Sequence, residues 1–411
     1  MKARLVLLAI LITVSATAKA QVAPAATGPG GLPVSGMLHY DLRYTYTAQF
    51  YGGEGGDSQR STLSGDATYA NGNATHPTSL TYSGGDMWTT SGASYGEGVF
   101  QHLLVSQGYN KRAWGFTISD NVNYSPQAPS GGFSGIPGIG NLPGLPTEPN
   151  QSILTLNTRS VYNMVTADYK HNVNYATSLD LNGSFTTLRF PDGNGLDTDS
   201  LQAGPRITRR LNAFNSLSGQ YSFTHISYPG ISSFTMETQT AMFGYDRTWS
   251  RQFKTSVSAG PQWVQSSDSI AIPSSLNLSI NSSANYQTRS TTASLNYTRG
   301  ASAGSGIATQ VGIHNDNASA NLMRQFGKNV NVTATGSYMR TTQLNQVGTT
   351  NAKTAGVSAT RRFGRSFTVF ANYTATQQTT SSVLTPNAIH GLSQVIGFGV
   401  GYSPREMHFK K

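Results

Sequence analysis

The chain contains no cysteine, which excludes a disulfide framework, a thiolate metal centre and a lipid-modified N-terminal cysteine. It is poor in charge: Asp, Glu, Lys and Arg make up 11% of its residues, against about 25% in ordinary soluble domains. A long apolar run is also missing. The longest, Leu5 to Val14, is about half of what a membrane-crossing helix needs, which argues against a helical membrane protein. Acid is scarcer than base, with 18 Asp and Glu against 28 Lys and Arg and a net charge of +10. The basic residues are scattered and match no nucleic-acid motif, so no nucleic-acid partner is expected.

What fills the gap is Ser, Thr, Asn, Gln and 44 Gly, with a mean hydropathy of −0.31. A wall with lipid on one side and water on the other averages to such a composition. The N-terminus carries an export signal over residues 1–20: Lys2 and Arg4, then the apolar run, then Ala18-Lys19-Ala20 as a small-x-small cleavage site. Cleavage leaves a Pro/Gly-rich linker over 21–35, too short for a plug domain, and a net charge of about +7. Residues 36–411 are then left for one domain.

That domain alternates with period two. Leu38, Tyr40, Leu42, Tyr44, Tyr46, Ala48 and Phe50 interleave with His39, Asp41, Arg43, Thr45, Thr47 and Gln49. Successive side chains leave a strand on opposite faces, so one face is apolar and the other polar. The pattern recurs at Leu276 to Gln287, from Val330, Val332 and Ala334 to Tyr338, at Phe367 to Tyr373, and at Ile396 to Tyr402. Short connections near 111–112, 170–172, 210–212, 250–251, 289–290, 327–328 and 364–365, with a longer one near 71–73, alternate with long Gly/Ser/Pro-rich ones. From 170 onward the short turns return about every 37 to 40 residues, one hairpin plus a loop. The count predicts an all-β, up-and-down transmembrane β-barrel of about eighteen antiparallel strands, with sixteen as the alternative because 61–70 and 78–83 are the weakest strands. Short turns are expected on the periplasmic side and long loops outside. Closure follows from location, since lipid leaves no partner for an open edge. Tyr286, Tyr297, Tyr338, Tyr373 and Phe363 are expected towards strand ends, as interfacial aromatics.

Four segments carry a resemblance: Phe190-Pro191-Asp192-Gly193-Asn194-Gly195, Tyr297-Thr298-Arg299-Gly300, Arg361-Arg362-Phe363-Gly364-Arg365-Ser366-Phe367 and Gly397-Phe398-Gly399-Val400-Gly401-Tyr402-Ser403-Pro404. With them the chain, over essentially its whole mature length, resembles an uncharacterised family of porin-like outer-membrane β-barrel proteins. The resemblance implies the fold and a Gram-negative outer-membrane location after Sec-type export, and suggests transport; it names no catalytic residue. Barrels of this class end on an aromatic residue, whereas this chain continues past Tyr402 to Phe409-Lys410-Lys411. The assembly signal is therefore expected at either Tyr402 or Phe409.

The polar faces are expected to line the lumen, with His39, Asp41, Arg43, Asp180, Asn277, Asn281, Asn285, Asn331 and Asn372 as candidate lining residues. Mostly neutral hydrogen-bonding groups suit conduction of small polar solutes with weak, slightly anionic selectivity. The longest loop, 125–150, carries Phe133, Ile136, Ile139, Leu142 and Leu145 with Glu148 as its acid. Either it folds into the lumen as a constriction, where those apolar side chains escape bulk water, or it is an ordinary outer loop. No catalysis is expected: there is no HExxH spacing and no G-x-S-x-G elbow, and His225 and His314 (beside Asp316) read as rim histidines. No cofactor is expected. The partners expected are outer-membrane lipid and lipopolysaccharide, the barrel-assembly machinery and small polar solutes, with monomer or trimer left open. Two other functions fit the same pattern: a dedicated export or uptake barrel, for polysaccharide for example, working with periplasmic partners, and a surface-structural or adhesive barrel with a blocked lumen.

Overall fold

The computed structural model describes residues 36–51, 57–71, 73–92, 97–126, 159–193, 195–230, 234–268, 272–302, 312–344, 348–364, 366–380, 391–404 and 407–409. The 1–20 signal and 21–35 linker expectations lie outside them. The strands are β1 (Gly36–Tyr51), β2 (Ser58–Ala70), β3 (Thr78–Gly92), β4 (Gly98–Asn110), β5 (Trp114–Ser125), β6 (Ser160–Asn172), β7 (Thr177–Arg189), β8 (Thr198–Arg210) and β9 (Asn215–Ser227). They continue with β10 (Thr235–Thr248), β11 (Phe253–Ser266), β12 (Ser275–Gln287), β13 (Thr291–Ser302), β14 (Ile313–Phe326), β15 (Val330–Gln343), β16 (Thr349–Phe363), β17 (Phe367–Thr380), β18 (Gly391–Tyr402) and a short β19 (Met407–Phe409).

Each of the first eighteen strands pairs antiparallel with its neighbour in sequence, and β18 pairs back onto β1, from Leu42 opposite Tyr402 to Tyr51 opposite Ser393. The sheet is a closed eighteen-strand barrel, and the two strands that read most weakly, β2 and β3, are full members of it. Closure pairs the backbone of every strand on both sides. β19 extends the seam by pairing Gly36–Leu38 of β1 with Phe409–Met407. Between the two pairings β1 advances from Leu38 to Leu42 while the other strand spans Tyr402 to Met407, one residue more.

Alternation sorts the side chains as expected. Large apolar residues cover the outer face: Tyr44, Leu103, Ile118, Phe185, Leu201, Phe243, Val257, Leu276, Leu295, Val357 and Phe398 are all exposed. The opposite face carries occluded polar groups such as Thr45, Thr62, Ser83, Thr240 and Gln378.

Three expectations need correcting. Residues 170–172 are not a turn but the end of β6, whose polar residues continue the alternation; the connection is 173–176. The Gly/Ser-rich stretch 84–97 is expected from sequence to be a long connection, but residues 84–92 belong to β3. A Cβ on Gly85 would lie 2.3 Å from the Leu63 carbonyl oxygen and 2.7 Å from the Phe100 ring, so this glycine serves close packing inside a strand. Thirdly, Tyr297 and Tyr373 stand in mid-strand, unlike Tyr286 and Phe363. Their length compensates: Tyr297 Oη donates to Asp316 (3.0 Å) and Tyr373 Oη to Gln394 (2.9 Å), both nearer the long-loop end. Tyr338 reaches Asn351 in the same way at 3.3 Å. An amphipathic ring can keep its body in the apolar band while its hydroxyl reaches the edge.

Candidate functional site: the inner face of the barrel

The inner face begins with the odd-numbered residues of β1. His39 Nε2 lies 2.9 Å from Asp41 Oδ1, and a single guanidinium nitrogen of Arg43 sits 3.2 Å from both Asp41 and Asp66. The register makes this possible: Asp41 faces Asp66 across the β1–β2 ladder, and Arg43 faces Ser64 one step above. Two carboxylates side by side would repel, and the shared arginine removes that cost. Asp66 also accepts from Ser83 of β3, and His102 of β4 contacts Asn121 of β5 at 2.8 Å. A charged and polar row thus crosses five strands. Nearer the long-loop end, Arg60 donates to Gln49, and Gln49 reaches Ser393 at 3.4 Å across the closure seam. Gly397, Gly399 and Gly401 face inward on β18, and a Cβ there would approach Asn372, Phe370 and Arg43 respectively. Small residues on this strand leave room for the long side chains of its neighbours.

Further round, Lys170, Asp180 and Arg206 are consecutive ladder partners on the inner face of β6, β7 and β8. Asp246 accepts from Ser216 at 3.3 Å. The other half of the wall is different. β12 to β15 and β17 present Asn, Ser, Thr, Gln and a few apolar residues inward, and no charge. Hydroxyls bond to one another there, as in Thr354 with Thr376 (3.2 Å) and Thr350 with Thr380 (3.0 Å).

At the long-loop end an apolar cluster replaces the polar carpet. Ile226, Met236 and Val264 face inward at the ends of β9, β10 and β11. Tyr228, Phe234, Ile272 and Ala301 pack on them, with Leu196 and Leu344 at the margin. Residues from four long connections meet in it, with Ala301 of β13. Gly312 packs against this cluster: its φ is +67°, and a Cβ would lie 2.4 Å from Ile272 Cδ1 and 3.1 Å from Leu344 Cδ1. Leu344 N–H donates to the Gly312 carbonyl at 3.1 Å. Burial raises the Tyr228 hydroxyl pKa well above its usual value, so it stays neutral; its bond to the Gly312 backbone opposes that shift.

Of the residues singled out from sequence, His39, Asp41 and Arg43 come together as one cluster. Asp180 lies between Lys170 and Arg206, and Asn277, Asn281, Asn285, Asn331 and Asn372 sit on the face opposite the apolar residues. Phe133, Ile136, Ile139, Leu142, Leu145 and Glu148 lie outside the described residues. Sequence reasoning missed Arg60, Asp66, Lys170, Arg206 and Asp246 as inner-face charges. Their alternation was readable, but which charges meet depends on register. His225 and His314 both stand on the outer face near the long-loop rim, 3.1 Å from Glu237 and 3.9 Å from Asp316. Among the described residues no group of three or more His, Cys, Asp or Glu is arranged as metal ligands.

No protein-family model and no curated protein matches the chain. Among solved structures, Acinetobacter baumannii OccAB3 is similar over 90% of this chain and 99% of its own, at 10% identity and a TM-score of 0.47. Pseudomonas aeruginosa OccK2 (OpdF) in complex with glucuronate is similar over 91% and 99%, at 10% identity and 0.47. The FrpB iron transporter from Neisseria meningitidis is similar over 89% and 81%, at 8% identity and 0.46. Likeness this distant carries no function from one chain to another.

Proposed function

We propose that this protein is an outer-membrane channel of a Gram-negative cell that lets small polar solutes diffuse passively. The observation that carries the reading is the two-faced closed wall: an apolar outer band around an inner face of hydroxyls, amides and bridged charges. Eighteen strands enclose more space than side chains fill, unlike eight. His39, Asp41, Arg43, Asp180, Asn277, Asn281, Asn285, Asn331 and Asn372 line the path in this reading, and they act by weak, replaceable hydrogen bonds and not by catalysis. Lipopolysaccharide and the barrel-assembly machinery are its proposed partners in the membrane.

Single-channel recording on the refolded full chain in a planar bilayer tests it. Stepwise conductance with mild ion selectivity is the expected result; a barrel that inserts and stays silent would overturn it. The apolar cluster at the long-loop mouth favours a second reading, a barrel gated by its loops. Silence that is relieved by disrupting that cluster would select the gated barrel.

A further inference from the structure

At the short-turn end, four cations lie on aromatic rings. Arg247 stacks on Trp249 at 3.9 Å, Arg361 on Phe363 at 4.8 Å and Arg324 on Phe326 at 5.2 Å, while Lys111 lies 5.4 Å from Tyr109 and 5.5 Å from Trp114. Arg247, Arg324 and Arg361 belong to the outer face by register: Arg247 shares its face with Phe243 and Tyr245, Arg324 pairs with Val332 and Arg361 with Val330. In each arginine case the ring lies two residues further on, towards the turn: Phe326 and Phe363 on the same strand face, and Trp249 just past the end of β10. Trp249, Phe326 and Phe363 are about half exposed. The arrangement repeats around the wall, at β4, β10, β14 and β16.

We propose that these residues form a belt that binds anionic phospholipid in the leaflet at the short-turn end. A ring at the edge of the apolar band fixes the depth of the cation beside it. A guanidinium held this way keeps its edge N–H groups free to grip a phosphate in a forked pair. Charge complementarity points to the same occupant. Among the described residues no Asp or Glu stands on the outer face near this end; Asp120, halfway along β5, is held by Asn163 Nδ2 at 3.0 Å. Near the long-loop end, by contrast, Asp199, Glu237 and Asp316 face outward and meet Arg189, His225 and Arg299. Cations with no nearby carboxylate attract an anionic surface.

The proposal rests on the membrane-barrel reading, and one experiment separates the two. The full chain is refolded into vesicles of equimolar phosphatidylglycerol and phosphatidylcholine, extracted, and its retained lipids counted by native mass spectrometry. The parent is expected to retain phosphatidylglycerol several-fold over phosphatidylcholine. The triple variant Arg247→Gln, Arg324→Gln, Arg361→Gln is expected to lose that preference while still migrating as a folded barrel. Arg340→Gln with Lys353→Gln, outer-face cations towards the other end, keeps it. Equal retention of both lipids by the parent, or a preference that survives the triple variant, overturns the belt and leaves the barrel standing. Failure to insert into any bilayer brings down the membrane reading and the belt together.

Discussion

Arg43 is the residue on which the charged cluster turns, because one nitrogen serves both Asp41 and Asp66. Arg43→Ala leaves two adjacent carboxylates on the inner wall. The direct stability loss is small, about 1 kcal/mol, for a pair that keeps some contact with solvent. The effect on permeation is larger: the reversal potential in a salt gradient should move towards cation selectivity, and an unchanged potential would place Arg43 away from the ion path. On the outer face the sign of the argument reverses. Phe243 is 63% exposed between Gly219 and Ala259, and in the proposed membrane setting that exposure is to lipid. Phe243→Arg should cost about 2–4 kcal/mol in urea titrations of the barrel folded in vesicles. Asn281→Arg, on the other face of a nearby strand, should cost well under half of that. Equal costs would mean that the faces are assigned wrongly.

At the level of elements, the apolar cluster depends on Gly312, whose backbone angle disfavours any L side chain and whose Cβ site is taken by Ile272 and Leu344. Gly312→Ala should loosen the loops, seen as faster thermolysin cleavage and a higher mean conductance; tight loops and unchanged conductance would rule out any gating part for the cluster. This cluster could not be read in the sequence, since Tyr228 and Phe234, Ile272, and Leu344 lie in three connections far apart in the chain. The strands were legible wherever alternation ran unbroken, as in β1 and β12, because one residue of slip would turn every side chain to the wrong face. Legibility failed where glycine serves packing, at Gly84-Gly85, and where polar residues continue a strand to its end, at Lys170 to Asn172. The site was legible in part. Alternation put His39, Asp41 and Arg43 on one polar face, but Asp66 joins them only through the β1–β2 register.

For the whole molecule, the decisive contact is the seam between first and last strands. Tyr46 and Phe398 face each other there with ring centroids 5.2 Å apart. Because the chain has no cysteine, Tyr46→Cys with Phe398→Cys gives a clean report: ladder partners stand close enough for a disulfide. Oxidation should cross-link the folded barrel and leave the urea-unfolded chain open. A folded protein that never cross-links would not be closed at this seam.

That seam also sets the order of events in making the molecule. The hydrogen bond from Gln49 to Ser393 joins residues 344 positions apart, and the closing loop costs about 2–3 kcal/mol more entropy than a twenty-residue hairpin. Every other ladder joins strands adjacent in the chain and can form as soon as both are present. The edge of β1 alone must wait for the last residues to arrive. A chain cut short before Gly391 therefore keeps two unpaired edges for good, open to pairing with other chains, and only a chain that reaches its last strand has none.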